Sequence, residues 1–195
     1  MILEIALAIG AGSAAVGFLA ALRSRRSRVV SDTSELGASL AAVREADRGL
    51  VSGDVVMIPG EELVLGGSVS LDEGGLVLRA FSLVGAARDR WLVQLDPNGR
   101  DLALTSETTE IGEGAVPSEL PLAGRTLTLE KRGVARVQAR GEGAPAIDGA
   151  RAPYVILSER GGRIAIVVDA PGARLALLGE RLDSRVVDRL GGGTP

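Results

Sequence analysis

Hydrophobic and polar positions divide the chain into stretches of different period, and the first stretch is continuously uncharged. From Ile5 to Leu22 the chain runs for 18 residues without a charge. At a helical rise of about 1.5 Å per residue this run covers about 27 Å, close to the thickness of a bilayer core. Four arginines follow it at once: Arg23, Arg25, Arg26 and Arg28. The pattern predicts a transmembrane helix over residues 1–22, and a buried helix of a globular core is the alternative.

The order of apolar and basic residues predicts how this helix is oriented. A secretory signal peptide has the opposite order, with basic residues before the apolar stretch. Because cytoplasmic flanks of membrane helices are enriched in Lys and Arg, we expect the N-terminus outside and the rest of the chain in the cytoplasm. The chain would then be a single-pass protein of the cell inner membrane. The four arginines would also contact the headgroups of anionic membrane lipids.

Small residues recur every fourth position along the predicted transmembrane helix. Gly10 is followed by Ala14, and Ser13 is followed by Gly17. Faces of small residues let two membrane helices approach closely. The spacing predicts a helix–helix contact and a homo-oligomer formed through it, and chance in an Ala- and Gly-rich sequence is the alternative.

A short amphipathic helix is predicted between the arginines and the first strand, within residues 23–49. Asp32 and Glu35 have the spacing of an N-terminal capping box. Leu36, Leu40 and Val43 then recur at intervals that place them on one helical face. This segment is predicted to link the membrane helix to a separate domain or to pack on that domain.

From residue 50 onward, short runs of Val, Leu and Ile alternate with Gly, Asp, Asn and Pro, which is typical of strands and turns. The Asn-Gly of Asp96–Gly99 is the clearest turn. Residues 112–124 are rich in Pro and Gly and predict a connection between two halves, 50–111 and 125–190. Residues 181–190 are predicted to form a final short helix or strand, and residues 191–195 a disordered tail. Ten strands are predicted: Asp54–Ile58, Glu62–Val69, Leu76–Val84, Trp91–Leu95, Asp101–Thr105, Arg125–Lys131, Val134–Ala139, Tyr154–Glu159, Arg163–Asp169 and Arg174–Leu178.

About ten short strands without long intervening helices predict the fold class of the soluble part. It is a mainly β domain, an antiparallel sandwich or barrel-like structure over residues 50–190. The transmembrane helix and the short amphipathic helix precede it.

The amino-acid composition argues against several classes of function. The chain has no Cys and no His, which excludes thiolate and imidazole zinc sites, Cys nucleophiles and imidazole bases. The net charge of −3 and the aromatic content of 2% give no support to nucleic-acid binding. A phosphate-binding loop of the Gly-Lys type is also missing from the sequence. A carboxylate-based site and a Ser–Lys pair using Lys131, the only Lys, stay open. Our prediction is no cofactor, no metal site, no catalytic residues and no enzymatic activity.

Several short motifs occur in an order that resembles a known family. They are Gly53-Asp54 at the opening of the domain, Trp91-Leu92 on a central strand, and Glu130 with Gly133 and Ala135 further on. Over about residues 50–185 the chain resembles the bacterial domain of unknown function 4178, in its membrane-anchored actinobacterial-type form. This chain departs from the family pattern at residues 76–79 and 164–168. The resemblance implies an accessory protein in a membrane-associated assembly and implies no established activity.

Three features of the sequence are candidate sites. Gly53-Asp54 would be a ligand-binding turn or, as its composition favours, a turn whose carboxylate binds nearby backbone amides. The pairs Glu61-Glu62 and Asp72-Glu73 could do acid–base chemistry only if one carboxylate were buried, and their Gly-rich surroundings predict solvation instead. Trp91, the only Trp, is a candidate for a partner surface, although its strand pattern favours core packing.

The resulting functional hypothesis is an interaction module. The cytoplasmic β domain would act as an accessory protein that binds a membrane-associated protein partner. The alternatives are a sensor that holds a small ligand or lipid in an apolar cleft and, less favoured, an enzyme that uses carboxylates alone.

Overall fold

A computed structural model describes residues 49–190 except 86–88, 123, 148 and 150. The predicted transmembrane helix, the arginine stop, the amphipathic helix and the C-terminal tail lie outside the described residues. Within the described part of the chain, no helix combines the length and the apolar character needed to cross a membrane.

The described residues form one antiparallel sheet that closes into an eight-stranded barrel with extra strands at both ends. The order is β11-β1-β2-β3-β4-β5-β10-β9-β8-β7-β6, and a pairing of β2 with β7 closes it. A 3-10 helix, Ser184–Val186, precedes the last strand. The strands are β1 (Val55–Ile58), β2 (Glu61–Asp72), β3 (Leu76–Val84), β4 (Arg90–Gln94), β5 (Leu102–Glu107), β6 (Glu119–Leu122), β7 (Arg125–Arg140), β8 (Arg151–Ser158), β9 (Arg163–Ala170), β10 (Ala173–Leu182) and β11 (Asp188–Leu190). The mainly β prediction is confirmed, and the fold is a barrel.

Two halves of the barrel have equivalent strand orders. The strands β1–β5 form one meander and β6–β10 form another, and the equivalent strands β5 and β10 pair antiparallel, as do β2 and β7. A bulge interrupts β2 after Leu65 and β7 after Leu129, at matching places relative to the two strand starts. The halves are therefore related in structure, and together they close one sheet.

The core has three parts because the ends of the sheet fold over the outer wall of the barrel. Trp91 and Tyr154 fill the barrel core together with aliphatic residues of β2, β3, β7, β8, β9 and β10. A first flanking core comprises Leu50, Val56, Leu63, Leu65, Phe81, Leu83, Leu92 and Leu102. A second flanking core comprises Ile111, Val116, Leu122, Leu127, Leu157, Ala165, Val167 and Ala176.

The sequence of strand β9 reflects its position between the barrel core and the second flanking core. Its residues Ile164, Ile166 and Val168 point into the barrel core, whereas Ala165 and Val167 belong to the second flanking core. Both faces of the strand are covered, so the sequence reads as a continuous apolar run instead of an alternating one.

Besides shifts in the limits of several strands, the structure differs from the predicted strands in two segments and adds detail in a third. The two strands predicted over 125–139 are one strand, β7, of 16 residues. The predicted connection contains β6, which among the described strands pairs with β7 alone. Pro121 is accommodated there because the end strand of a sheet does not need every N–H. Residues 181–190 contain the end of β10, the 3-10 helix and β11.

Candidate functional site

A polar cavity of about 220 Å³ lies on the outer face of the sheet where β3, β2 and β7 run side by side. Cross-strand pairing builds it from two rows: Arg79, Ser70 and Gln138 in one, and Phe81, Ser68 and Arg140 in the next. The intervening residues Val69 and Leu71 of β2 point into the barrel. Val51 and Ser52 complete the lining.

We call this cavity the arginine–serine cavity. Arg79, at one side of it, is held by the segment that leads into β1. The Nη1 of Arg79 donates to the carbonyl of Leu50 at 3.0 Å. The amide N–H of Leu50 donates in turn to the Oε1 of Gln94 at 2.9 Å, and Gln94 is fully buried. A guanidinium carries five N–H donors, so this contact orients Arg79 and leaves it with donors for other groups.

The chemistry of the arginine–serine cavity is that of a hydrogen-bond donor surface. Two guanidinium groups, three serine hydroxyls and one amide contribute to it, and no carboxylate occurs among the described residues of its lining. The Oγ of Ser70 reaches the carbonyl of Gln138 at a long 3.5 Å, so this hydroxyl is only weakly engaged.

The Gly53-Asp54 turn has the structural role that its composition favours. Gly53 adopts a φ of 91°, and its N–H donates to the carbonyl of Leu65. The Oδ2 of Asp54 accepts the N–H of Val51 at 3.0 Å and the Nη2 of Arg189 at 2.6 Å. The side chain of Asp54 is 1% exposed and that of Arg189 is 16% exposed, so this largely buried ion pair ties β11 to the entry of β1.

One carboxylate of each candidate pair, Glu61 and Glu73, is engaged in a structural contact. Glu61 forms two hydrogen bonds with the guanidinium of Arg90, and these hold the pKa of Glu61 below its usual value. Glu73 accepts the hydroxyl of Tyr154 at 2.6 Å, which lowers the pKa of Glu73. Burial, and then this same hydrogen bond, raise the pKa of Tyr154. None of the four carboxylates is buried, whereas the acid–base reading of these pairs required a buried one.

Trp91 is 2% exposed, and this corrects its candidacy as a partner surface. Its Nε1 donates to the Oε1 of Glu107 at 3.0 Å, and its ring packs in the barrel core. The strand pattern had favoured this core position, because neighbours in a strand point to opposite faces.

A larger cavity of about 530 Å³ lies between the end of β5 and β10 and contains two glutamates. Glu107 and Glu113 line it together with Arg174 and Ile111. Both carboxylates are exposed, and Glu107 already accepts the Trp91 indole N–H. Over the described residues no group of three or more Asp or Glu side chains is arranged to hold a metal ion. These two carboxylates are therefore not desolvated by burial.

The two end strands of the sheet are candidate sites for binding another chain. β6 and β11 lie at the two ends of the sheet order. Around β11 two aliphatic side chains are exposed, Val186 at 46% and Leu190 at 54%. End strands of this kind can accept an additional strand from another chain.

The arginine–serine cavity is not among the sites that the sequence pattern predicts. Its residues come from four separate segments, and only the β2–β7 closure makes Ser68 a neighbour of Arg140. A usable signal was the presence of Ser68 and Ser70 at outward positions of an otherwise aliphatic strand. The predicted membrane and helix-contact residues, which are Arg23, Arg25, Arg26, Arg28, Gly10, Ser13, Ala14 and Gly17, lie outside the described residues.

No family model, no curated protein and no solved structure matches the chain. The resemblance to the domain of unknown function 4178 therefore stays a prediction from short motifs.

Proposed function

We propose that this chain is a membrane-anchored accessory protein whose β domain binds a protein partner at the cytoplasmic face of the inner membrane. The N-terminal apolar run and its four arginines support the anchor and its orientation. Tethering would raise the effective concentration of the domain near membrane partners.

The observation that carries this proposal is the exposed end strand β11. Its three residues pair with β1 on one side, and Val186 and Leu190 present aliphatic surface beside it. We propose that an extended segment of the partner, with apolar residues at alternate positions, adds to the sheet at this edge. Main-chain hydrogen bonds would supply affinity, and the alternate side chains would supply specificity.

The sensor alternative in its apolar form has less support. The barrel core is filled by large side chains such as Trp91, Tyr154 and Ile166, all 2% exposed or less. The arginine–serine cavity and the cavity beside Glu107 both carry charged side chains. A polar ligand fits these linings better than a lipid chain does.

Site-specific photo-crosslinking in living cells tests the proposal. A photoreactive residue replaces Asp188 in the full chain, and a matched control replaces Val84, which is also exposed but lies at the end of β3. We expect a discrete protein adduct from position 188 only. Leu190→Lys should remove the adduct by placing a charge at the edge, and deletion of residues 1–28 should weaken it.

The proposal fails if positions 84 and 188 yield the same adducts, or if the adduct survives Leu190→Lys unchanged. An adduct that depends on Leu190 but not on residues 1–28 would support partner binding at the β11 edge and contradict a role of the anchor in that binding.

A further inference from the structure

We propose that the arginine–serine cavity binds a phosphate group. This inference is independent of partner binding at β11, because it uses other strands and another chemistry. The lining offers two guanidinium groups on opposite sides, Arg79 from β3 and Arg140 from β7, with Ser68 and Ser70 of β2 between them.

The size of the cavity favours a small, compact ligand. A single water needs about 10–15 Å³ of cavity, and typical drug-sized ligand sites have about 300–1,000 Å³. At about 220 Å³ the arginine–serine cavity lies between these values. One tetrahedral oxyanion with part of an attached group fills such a volume.

The charge of the lining selects an anion. The two arginines bring two positive charges, and the described residues of the lining include no Asp or Glu. Guanidinium groups pair with phosphate oxygens through two parallel hydrogen bonds. A phosphate group also presents further oxygens that accept hydrogen bonds from the serine hydroxyls and from the amide of Gln138.

The geometry is preorganised on the β3 side. The contact of Arg79 with the Leu50 carbonyl at 3.0 Å fixes its guanidinium at the rim, and rigid strands hold the serines in register. Groups held in place before binding lose little conformational entropy when the ligand arrives. Arg140 is exposed and is the side chain that closes over the ligand.

The same chemistry has two natural sources, a phospholipid headgroup and a soluble phosphate compound. Val51 and Ser52 of the lining follow the predicted anchor and helix in the chain, so a tethered domain could meet either source. The experiment has one arm for each source.

Thermal unfolding of the full chain measures binding, with the fluorescence of the single Trp, Trp91, as the signal. The protein is held in maltoside micelles in phosphate-free Tris buffer, so that neither detergent nor buffer supplies the ligand. In one arm inorganic phosphate is titrated. In the other, phosphatidylglycerol is added to the micelles, with a fatty acid as the anionic lipid without phosphate. A ligand that binds the native state raises the midpoint with saturation.

Arg140→Gln is the test variant, and Arg136→Gln is its matched control. Both are exposed arginines on the same outward face of β7, but Arg136 does not line the cavity. Loss of a charged hydrogen-bonding partner should weaken apparent affinity about tenfold or more in Arg140→Gln, and less than about twofold in Arg136→Gln. Ser68→Ala should weaken it about threefold, and all variants should unfold at the wild-type midpoint without ligand.

Saturable stabilisation by inorganic phosphate, lost in Arg140→Gln, identifies a site for soluble phosphate compounds. Stabilisation by phosphatidylglycerol but not by the fatty acid, with the same loss, identifies a headgroup site. No stabilisation in either arm, or equal weakening in Arg136→Gln and Arg140→Gln, overturns the proposal and leaves the crosslinking result at β11 unaffected.

Discussion

At the scale of residues, the buried ion pair between Asp54 and Arg189 joins the two ends of the described domain. The Nη2 of Arg189 donates to Asp54 and also to the carbonyl of Gly49, the latter at 3.2 Å. A charge buried beside its partner is tolerated because the attraction offsets the loss of hydration, whereas a charge left alone is strongly destabilising. Removing one partner should therefore cost more free energy of unfolding than the intact pair contributes on balance.

Arg189→Met should lower the free energy of unfolding by about 3 kcal/mol, because the buried Asp54 would lose the guanidinium that Arg189 provides. Urea unfolding followed by Trp91 fluorescence measures the change. Arg185→Met is the control, because the side chain of Arg185 is 89% exposed, and it should shift stability by no more than about 0.5 kcal/mol. If Arg189→Met resembles this control, the pair does not stabilise the fold. The double variant Asp54→Asn, Arg189→Met should recover part of the loss.

At the scale of elements, the crossing of β5 and β10 depends on one glycine. A Cβ at Gly179 would lie 2.0 Å from the carbonyl oxygen of Leu104 and 2.6 Å from the Cα of Thr105. These are backbone atoms of the paired strand, so they cannot move aside without disturbing the pairing. The close approach is what lets the first half of the barrel join the second.

Gly179→Ala should therefore destabilise the protein by about 1–3 kcal/mol, the usual cost of overpacking. Gly112→Ala is the matched control, because nothing lies within 4 Å of its Cβ position, and it should be neutral or slightly stabilising. Chemical denaturation of the two variants side by side gives the answer. Equal stabilities would mean that β5 and β10 can separate locally at no cost.

At the scale of the whole molecule, the barrel is closed by two seams between equivalent strands. β5 pairs with β10 through six residue pairs and β2 pairs with β7 through five. Neither half contains a complete barrel core, because that core draws on strands of both halves. The two halves should consequently unfold together.

Cooperative unfolding can be measured with one natural probe in each half. Trp91 lies in β4 of the first half and Tyr154, the only Tyr, in β8 of the second. Trp fluorescence and the tyrosine signal in near-ultraviolet absorbance should show coincident urea transitions in the full chain. Two separated transitions would instead reveal two independent folding units.

Local features of the sequence determined the strands, most turns and the burial of Trp91. Alternation of apolar residues with period two, and Asn-Gly and Gly-Gly pairs, act over a few neighbouring positions. For this reason the limits of β3 were predicted correctly. The segment β6 was missed because its Pro is compatible only with an end strand, and a linear pattern does not tell which strand lies at the end.

Only the tertiary structure decided which strands meet. Ser68 lies beside Arg140, and Asp54 beside Arg189, because the sheet closes through β2 and β7 and because β11 returns to β1. Side-chain periodicity sets which face a residue occupies, but the partner of a strand depends on the closure of the whole sheet. The class of the fold was therefore readable from the sequence, whereas the arginine–serine cavity was not.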